Sequence, residues 1–161
     1  MTQPQIQPRR AGAVEVLTGD PGSVLTLLAD PEHTAGTLTA NRSLLRAGSA
    51  GAPPHLHRRS AEMFYLLGGV LDVLVDEEVT TLEPGDLLVV PAGTAHAFAP
   101  AAGRDADVLV VFTPGTARFD YYRLLDGLHR GTASAQDVRD SQQRFDNHYV
   151  ESAAWSDRPG R

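Results

Sequence analysis

Residues 51–69 read GAPPHLHRRSAEMFYLLGG, and this stretch contains three side chains that bind metal ions well: His55, His57 and Glu62. On a β-strand, side chains two residues apart point to the same face, so His55 and His57 direct two imidazoles into one space. The four residues before Glu62 are mostly polar and allow the chain to turn or bulge, which brings the carboxylate back near the same point. The stretch therefore predicts half of a metal site on short β-strands.

A second stretch, EPGDLLVVPAGTAHAFAP at residues 83–100, supplies another histidine from far along the chain. Its first four residues place Pro84 and Gly85 at the central positions of a type II turn, where the second central residue needs a positive φ. The run Leu87–Val90 then predicts a buried apolar strand, and a turn around Gly93 delivers His96 inward. Two separate segments that each aim ligands inward arise by chance less often than one, so together they predict one metal site.

Three apolar residues share the inward parity of these ligands: Phe64 and Leu66 with Glu62, and Phe98 with His96. A strand points them toward the same interior, where they would form an apolar pocket around the ion. Ordinary core packing is the alternative for aromatic side chains at such positions.

Length and composition exclude several classes of protein. With 161 residues, the chain is long enough for one domain with its own core. It has no cysteine, which excludes disulfides, thiolate metal sites and cysteine nucleophiles. The net charge of −6, without a basic stripe, argues against a nucleic-acid partner. The sequence shows no long apolar run and no signal segment, so we expect a cytoplasmic protein without a membrane partner.

The chain divides into three parts within a single domain. Residues 1–12 are expected to form a polar N-terminal arm, residues 13–114 the β-barrel with the metal site, and residues 115–161 a helical C-terminal extension. The barrel prediction rests on short β-rich runs that turn residues separate. The runs are Ser23–Leu28, Thr37–Leu45, Met63–Leu67, Val70–Val75, Leu87–Val90 and Val108–Phe112.

The extension predicts a pair of helices. One face of a helix over Arg118–His129, which Gly131 could end, is apolar and aromatic and consists of Phe119, Tyr122, Leu125 and Leu128. The second helix begins at Ser134, whose hydroxyl caps the first turn, and ends before Asn147. We expect the pair to cover a barrel edge or an interface, with a lid over the cavity as the alternative.

The two stretches resemble the two sequence motifs of the cupin superfamily over residues 51–100. The first motif has a glycine, a His-x-His triplet, a glutamate and a closing glycine; the second has a glycine, a proline, a glycine and a histidine. The matching residues are His55, His57, Glu62 and Gly69 in the first motif and Gly85, Pro91, Gly93 and His96 in the second. The chain departs from the pattern at Gly51, which only three residues separate from His55, and at Pro100, where the family has an asparagine.

The resemblance implies a cupin jelly-roll β-barrel, so the expected fold class is all-β with a C-terminal pair of helices. It also implies that His55, His57, Glu62 and His96 hold a divalent transition metal inside the barrel. Three neutral imidazoles and one carboxylate leave coordination positions open for water, O₂ or substrate on a six-coordinate ion. The ligand types are compatible with Fe, Mn, Ni, Cu, Co or Zn.

Small single-domain bacterial cupins with such motifs resemble quercetin dioxygenase-like proteins, which implies a dioxygenase-type enzyme for a small aromatic or polyphenol substrate. Glu62 would be its catalytic residue, either as a ligand or as a general base toward a substrate hydroxyl. A likeness to small polyketide cyclases gives an O₂-independent cyclase or isomerase as the alternative. A barrel that binds a metal or a small molecule without turnover is the third hypothesis. A DNA-binding regulator is disfavoured because the first fifty residues do not predict a helical DNA-binding module.

Partner surfaces and the remaining histidines are predicted more simply. Cupins commonly form dimers, and the outward apolar positions Met63 and Tyr65, with the N-terminal arm, lead us to expect a homodimer. The histidines outside both motifs are expected at the surface or at helix ends: His33, His129 and His148.

Overall fold

The computed structural model describes residues 7–19 and 21–160, so the first half of the predicted arm, residues 1–6, lies outside the described residues. Two antiparallel sheets enclose the interior. The first contains β1 (Val16–Thr18), β2 (Val24–Ala29), β3 (Thr39–Leu45), β5 (Ala61–Gly69), β8 (Leu87–Val90) and β10 (Ala106–Thr113), in the spatial order β1-β2-β3-β10-β5-β8. The second contains β4 (Ala52–Leu56), β6 (Leu71–Val75), β7 (Glu78–Leu82), β9 (His96–Pro100) and β11 (His148–Tyr149), in the order β11-β4-β9-β6-β7. The predicted all-β fold with C-terminal helices is confirmed.

The core lies between the sheets because β5 and β10 alternate strictly. Glu62, Phe64 and Leu66 on β5 are buried, and the residues between them are only half-buried. Val110 and Phe112 on β10 face the same interior, since Val110 pairs with Phe64 and Phe112 with Glu62. Full burial of a Val, Leu or Phe side chain stabilises the fold by about 1.5–3 kcal/mol. The inward parity predicted for β5 is therefore confirmed.

Strand β8 differs from the prediction. Leu87 and Val89 are 58% and 51% exposed, and among the four residues of the strand only Val90 is fully buried. The strand pairs with β5 alone and lies at the edge of its sheet, so one of its faces meets solvent. The prediction of a buried strand was wrong because a run of four apolar residues does not reveal whether one face or both are covered.

Two glycines fix tight points in the barrel. Gly85 has φ of 96°, and Asp86 N–H donates to the carbonyl of Glu83 at 3.0 Å, which confirms the predicted type II turn. Gly69 has φ of 75°, and a Cβ there would lie 1.9 Å from the carbonyl oxygen of Asp105. Only glycine fits that point, where the end of β5 closely approaches the chain before β10.

The C-terminal segment begins with the two predicted helices. Helix α1 spans Arg118–His129, as predicted, and Gly131 follows it with φ of 75°. Helix α2 (Ala135–Asp140) starts after Ser134, whose hydroxyl accepts from Asp137 N–H. The chain then breaks at Ser141, and α3 (Gln142–Phe145) completes what the sequence predicted as one helix.

Two further elements of the C-terminal segment were not predicted, a short strand and a short helix. Strand β11 pairs with β4 and carries His148, which is therefore a strand residue and not a surface or helix-end residue. Helix α4 (Ala153–Ser156) packs Trp155 on the outer side of the second sheet, against Leu74 and Ala97. Elements of two and four residues are too short to show a periodic pattern in sequence. No helix in the described part of the chain is long and apolar enough to cross a bilayer.

Candidate metal centre

Four predicted ligands converge at one end of the barrel interior. His55 lies on β4, His57 directly follows that strand, Glu62 lies on β5, and His96 begins β9. The pairing of β4 with β9 sets His55 opposite His96. One ligand atom from each of the four side chains lies within 4.8 Å of all the others. All four are at most 3% exposed, so the cluster is sealed from bulk solvent.

Backbone carbonyls orient all three imidazoles. A carbonyl oxygen can only accept, so each ring carries its proton on Nδ1 and donates it. The acceptors are Pro53 for His55 at 2.7 Å, Asp146 for His57 at 2.6 Å and Thr94 for His96 at 2.9 Å. Each Nε2 is thereby turned toward the cluster. Such carbonyl contacts are the usual way in which proteins fix metal-binding histidines.

Glu62 lies at the centre of the cluster. Its Oε2 lies 3.0 Å from Nε2 of His57 and 2.6 Å from Nε2 of His96. Burial alone would raise the pKa of Glu62, but the charge of His96 and hydrogen bonds from both histidines outweigh it and hold the pKa well below its usual value. The carboxylate is therefore ionised in a buried place.

The pKa values of His96 and His55 shift in opposite directions. Burial lowers the pKa of His96, but the charge of Glu62 and its hydrogen bond prevail and raise the pKa overall. Burial, followed by the charges of His96 and His57, lowers the pKa of His55 well below its usual value. The lowered pKa keeps His55 neutral, which is the form in which an imidazole binds a metal ion.

These residues fit a divalent metal. Three nitrogens and one carboxylate oxygen suit first-row transition ions, whose bonds to such atoms are about 2.0–2.2 Å long. Small movements of side chains already within 4.8 Å of one another would give those lengths. His55, His57, Glu62 and His96 could therefore bind one ion, and the ligand types leave its identity open among Fe, Mn, Ni, Cu, Co and Zn.

The three predicted pocket residues lie in different surroundings. The Phe64 ring is 6.3 Å from the His96 ring and 5.1 Å from the Phe98 ring. Leu66, one same-face position further along β5, is fully buried in the core. Phe98 lines a cavity of about 220 Å³ inside the barrel. Their contact with a substrate stays a prediction.

Helix α1 covers the metal end of the barrel. The Arg118 guanidinium lies 4.8 Å from the centre of the Phe112 ring, which contacts the His57 ring at 5.3 Å. Tyr122 reaches inward to donate to Asn41 Oδ1 at 3.0 Å. The helix therefore contacts side chains of the barrel interior through Arg118 and Tyr122, and it also contacts the edge strand β1. Its role as a lid stays a prediction.

Sequence reasoning missed Asp146, which ties the C-terminal segment to the metal centre. Its carboxylate accepts from the backbone N–H groups of Arg58 at 3.0 Å and Arg59 at 2.9 Å, and from Nε2 of His148 at 3.1 Å. Its carbonyl accepts from His57. Burial would raise the pKa of Asp146, but these two backbone N–H groups and the charge of Arg59 lower it. No sequence signal links residues 89 positions apart, as Asp146 and His57 are.

Known proteins resemble this chain in sequence and in fold. The chain is 30% identical over 115 residues to the oxidoreductase iacF of Pestalotiopsis fici, a match that covers 69% of this chain and 55% of the fungal protein. The chain thus spans about half the length of that curated relative.

Two solved structures share the fold. KdgF from a Halomonas species has a TM-score of 0.60 at 23% identity, over 70% of this chain and 97% of its own. The polyketide cyclase RemF from Streptomyces resistomycificus has a TM-score of 0.56 at 19% identity, over 68% of this chain and 80% of its own.

The family model of the cupin domain matches residues 42–112. The matched segment contains all four converging side chains. It begins on β3 and ends on β10, so it includes the central strands of both sheets. The motifs, the two-sheet barrel and the matched segment agree, and residues 42–112 form a domain of the cupin superfamily.

Proposed function

We propose that this protein is a metal-dependent enzyme that acts on a small organic molecule, of aromatic, polyphenol or polyketide type, by a dioxygenase-type reaction. The observation that carries the proposal is the convergence of three Nε2 atoms and the Glu62 carboxylate in one buried cluster. The named function of the fungal relative, an oxidoreductase, supports the same class of reaction. A bound divalent ion would supply Lewis acidity and open positions for oxygen ligands.

Glu62 could have either of two roles in such a site. It could hold the ion, or its Oε2 could take a proton from a substrate hydroxyl and pass it on. The contacts to His57 and His96 keep the free carboxylate ionised, as a general base must be. The buried surroundings exclude water, which strengthens any charge interaction with the substrate.

An O₂-independent cyclase or isomerase is the second candidate. The observation that favours it is the fold shared with the polyketide cyclase RemF. The same Glu62 would then move a proton next to a substrate carbonyl, with no oxidant consumed. Oxygen consumption therefore separates the two candidates.

The first prediction concerns oxygen. Protein reconstituted with each candidate metal should consume O₂ on an oxygen electrode when a flavonol or polyphenol is added, and elemental analysis should find one ion per chain. Uptake with at least one metal supports the dioxygenase. Absence of uptake with every metal excludes it, and product analysis with polyketide substrates then tests the cyclase.

The Glu62→Gln variant tests the role of the carboxylate. We expect turnover to fall by about 100-fold or more, because proton transfer by a positioned base contributes on that order. Glu77→Gln is the matched control, since Glu77 is exposed in the turn after β6. A barrel that only binds its ligand would keep its affinity in the Glu62→Gln variant and show no turnover in any form, which would contradict the enzyme proposal.

We also propose that the barrel and the C-terminal extension act as one domain. Strand β11 extends the second sheet beside β4, and the carbonyl of Asp146 accepts from His57. The extension thus contributes to the interior of the barrel and to the orientation of a ligand. The expected boundaries, with the barrel at residues 13–114 and the extension at 115–161, stay predictions.

A homodimer is proposed from the outer face of the first sheet. Leu87 and Val89 are more than half exposed and pair with Tyr65 and Met63 on β5. Leu67, 45% exposed, extends this apolar strip. An edge strand with a continuous apolar face invites pairing with another chain, and a second copy brings the same strip by two-fold symmetry.

Light scattering tests the dimer. The wild-type protein should show twice the mass of one chain at micromolar concentration, and a Leu87→Lys/Val89→Lys variant should show the mass of a single chain. Val79→Lys is the control, because Val79 is exposed on β7 of the other sheet. A wild-type monomer across this concentration range would contradict the dimer.

A further inference from the structure

A cavity of about 220 Å³ lies between helix α1 and the interior of the barrel. One wall is a single face of α1, where Tyr122, Leu125 and His129 follow each other at helical spacing. The opposite wall includes Leu25 of β2 and Phe98 of β9. Most of the lining is apolar, so burial of an apolar molecule here would be favourable.

One part of the cavity is polar. Asn41 and Ser43 are neighbours on the inner face of β3 and are 1% and 7% exposed. Asn41 accepts from the Tyr122 hydroxyl at 3.0 Å and donates to Ser43 Oγ at 3.1 Å. Within the described part of the chain, the Ser43 hydroxyl has no acceptor for its own hydrogen, and Asn41 keeps a second N–H. Buried donors without acceptors are unfavourable, and a ligand oxygen would satisfy both.

The cavity adjoins the metal cluster. Phe98 is two residues beyond His96 on the same face of β9, about 7 Å along the strand. On the facing sheet Val110 lines the cavity, while Phe112, two residues further, contacts the His57 ring. The cavity is thus one layer of side chains away from the ligands.

Its walls come largely from outside the segment shared with other cupins. The matched segment spans residues 42–112, whereas Leu25, Asn41, Tyr122 and Leu125 lie before or after it. Most of the cavity walls and Asn41 therefore lie outside the matched segment, whereas Ser43 lies inside it.

We propose that this cavity binds a small, largely apolar compound with a carbonyl or hydroxyl oxygen that Asn41 and Ser43 hold. Binding in the cavity does not depend on the proposed function. The apolar body lies against α1 and β2. The oxygen accepts from the Ser43 hydroxyl and from the second N–H of Asn41.

Two probes of matched shape test the inference: acetophenone, which has a carbonyl oxygen, and cumene, which has a methyl group in its place. Binding is measured by NMR titration of protein treated with EDTA and of metal-loaded protein. We expect acetophenone to bind more tightly than cumene. Ser43→Ala should weaken acetophenone binding by about 3- to 10-fold, because one hydrogen bond is lost, and leave cumene unchanged.

Helix α1 offers a matched pair of variants. Leu125→Trp should fill the cavity and abolish binding of both probes, whereas Leu128→Trp, on the exposed side of the helix, should preserve it. If Leu125→Trp does not fold, nuclear Overhauser contacts in the wild type decide: contacts from acetophenone to Leu125 and Phe98 support the inference, and contacts elsewhere overturn it. Equal affinity for the two probes, or no binding of either, also overturns it.

The outcomes separate this inference from the proposed function. Acetophenone binding in a protein that takes up no divalent metal on reconstitution would overturn the enzyme proposal and retain the cavity as a ligand site. Metal-dependent turnover without probe binding in the cavity would do the reverse.

Discussion

The His96→Ala variant is expected to lose its metal ion. His96 lies nearest to Glu62 of the three histidines and stands opposite His55 in the strand pairing. Its removal leaves two nitrogens and one carboxylate, and opens a gap beside a buried charge. We expect metal content after dialysis to fall from one ion per chain to less than about one-tenth, with an affinity loss larger than the 10–100-fold typical of outer contacts.

Elemental analysis and thermal unfolding measure this effect independently. Metal at 100 times its dissociation constant stabilises the wild type by about 2.7 kcal/mol, so its melting temperature should rise when metal is added. The melting temperature of His96→Ala should not respond. His33→Ala is the control, because His33 is exposed and its ring accepts from Asp30 N–H instead of contacting the cluster. If His96→Ala kept a full ion at wild-type affinity, the cluster would not be the metal centre.

Strand parity explains why the centre could be predicted from the sequence. A two-residue period fixes which side chains share a face, so His55 with His57, and Glu62 with Phe64, followed from spacing alone. Their meeting with His96 did not follow from spacing, because it depends on which strands are neighbours. The resemblance to the cupin motifs implied that the four side chains meet, and in the structure β4 and β9 pair His55 with His96.

The bounds of helix α1 and its apolar face could also be predicted, because they depend on residues that are close together in the sequence. The surface that this apolar face contacts could not be predicted, since a helical period shows which residues share a face and not what that face packs against. Tyr122 was assigned to the apolar face, but its contact with Asn41 depends on how α1 crosses the barrel. The exposed residues Leu87 and Val89 escaped prediction for the same reason: coverage is a tertiary property.

The contacts of Asp146 are the least predictable from the sequence. Replacement of Asp146 is the second change for which we expect a large effect, on both stability and metal binding. Its two carboxylate oxygens accept from Arg58 N–H and Arg59 N–H, on opposite sides of the group. An asparagine offers one oxygen and one N–H₂ group, so one of those backbone donors would face another donor in a buried place. A donor left without an acceptor costs about 1–3 kcal/mol.

We therefore expect Asp146→Asn to lower the free energy of unfolding by about 2–3 kcal/mol and to weaken metal binding by about 10–100-fold. Metal binding suffers because Arg58 and Arg59 link His57 to Glu62, and the carbonyl of residue 146 orients His57. Backbone strain does not contribute, since the φ of 52° at this position suits asparagine as well as aspartate. The control is Asp157→Asn, at an exposed position after α4.

The dependence on pH distinguishes a charged acceptor from a merely well-packed side chain. The pKa of Asp146 is lower in the folded protein than in the unfolded chain, so its contribution is complete above the unfolded value of about 3.9 and is lost as the pH falls through the folded value. Urea unfolding at pH 7 should show the full difference between wild type and Asp146→Asn, and unfolding near pH 3 a smaller one. A difference of equal size at both pH values would mean that the carboxylate charge contributes nothing to the free energy of unfolding. The shape of the Asp146 side chain alone would then account for its effect on residues 57–59.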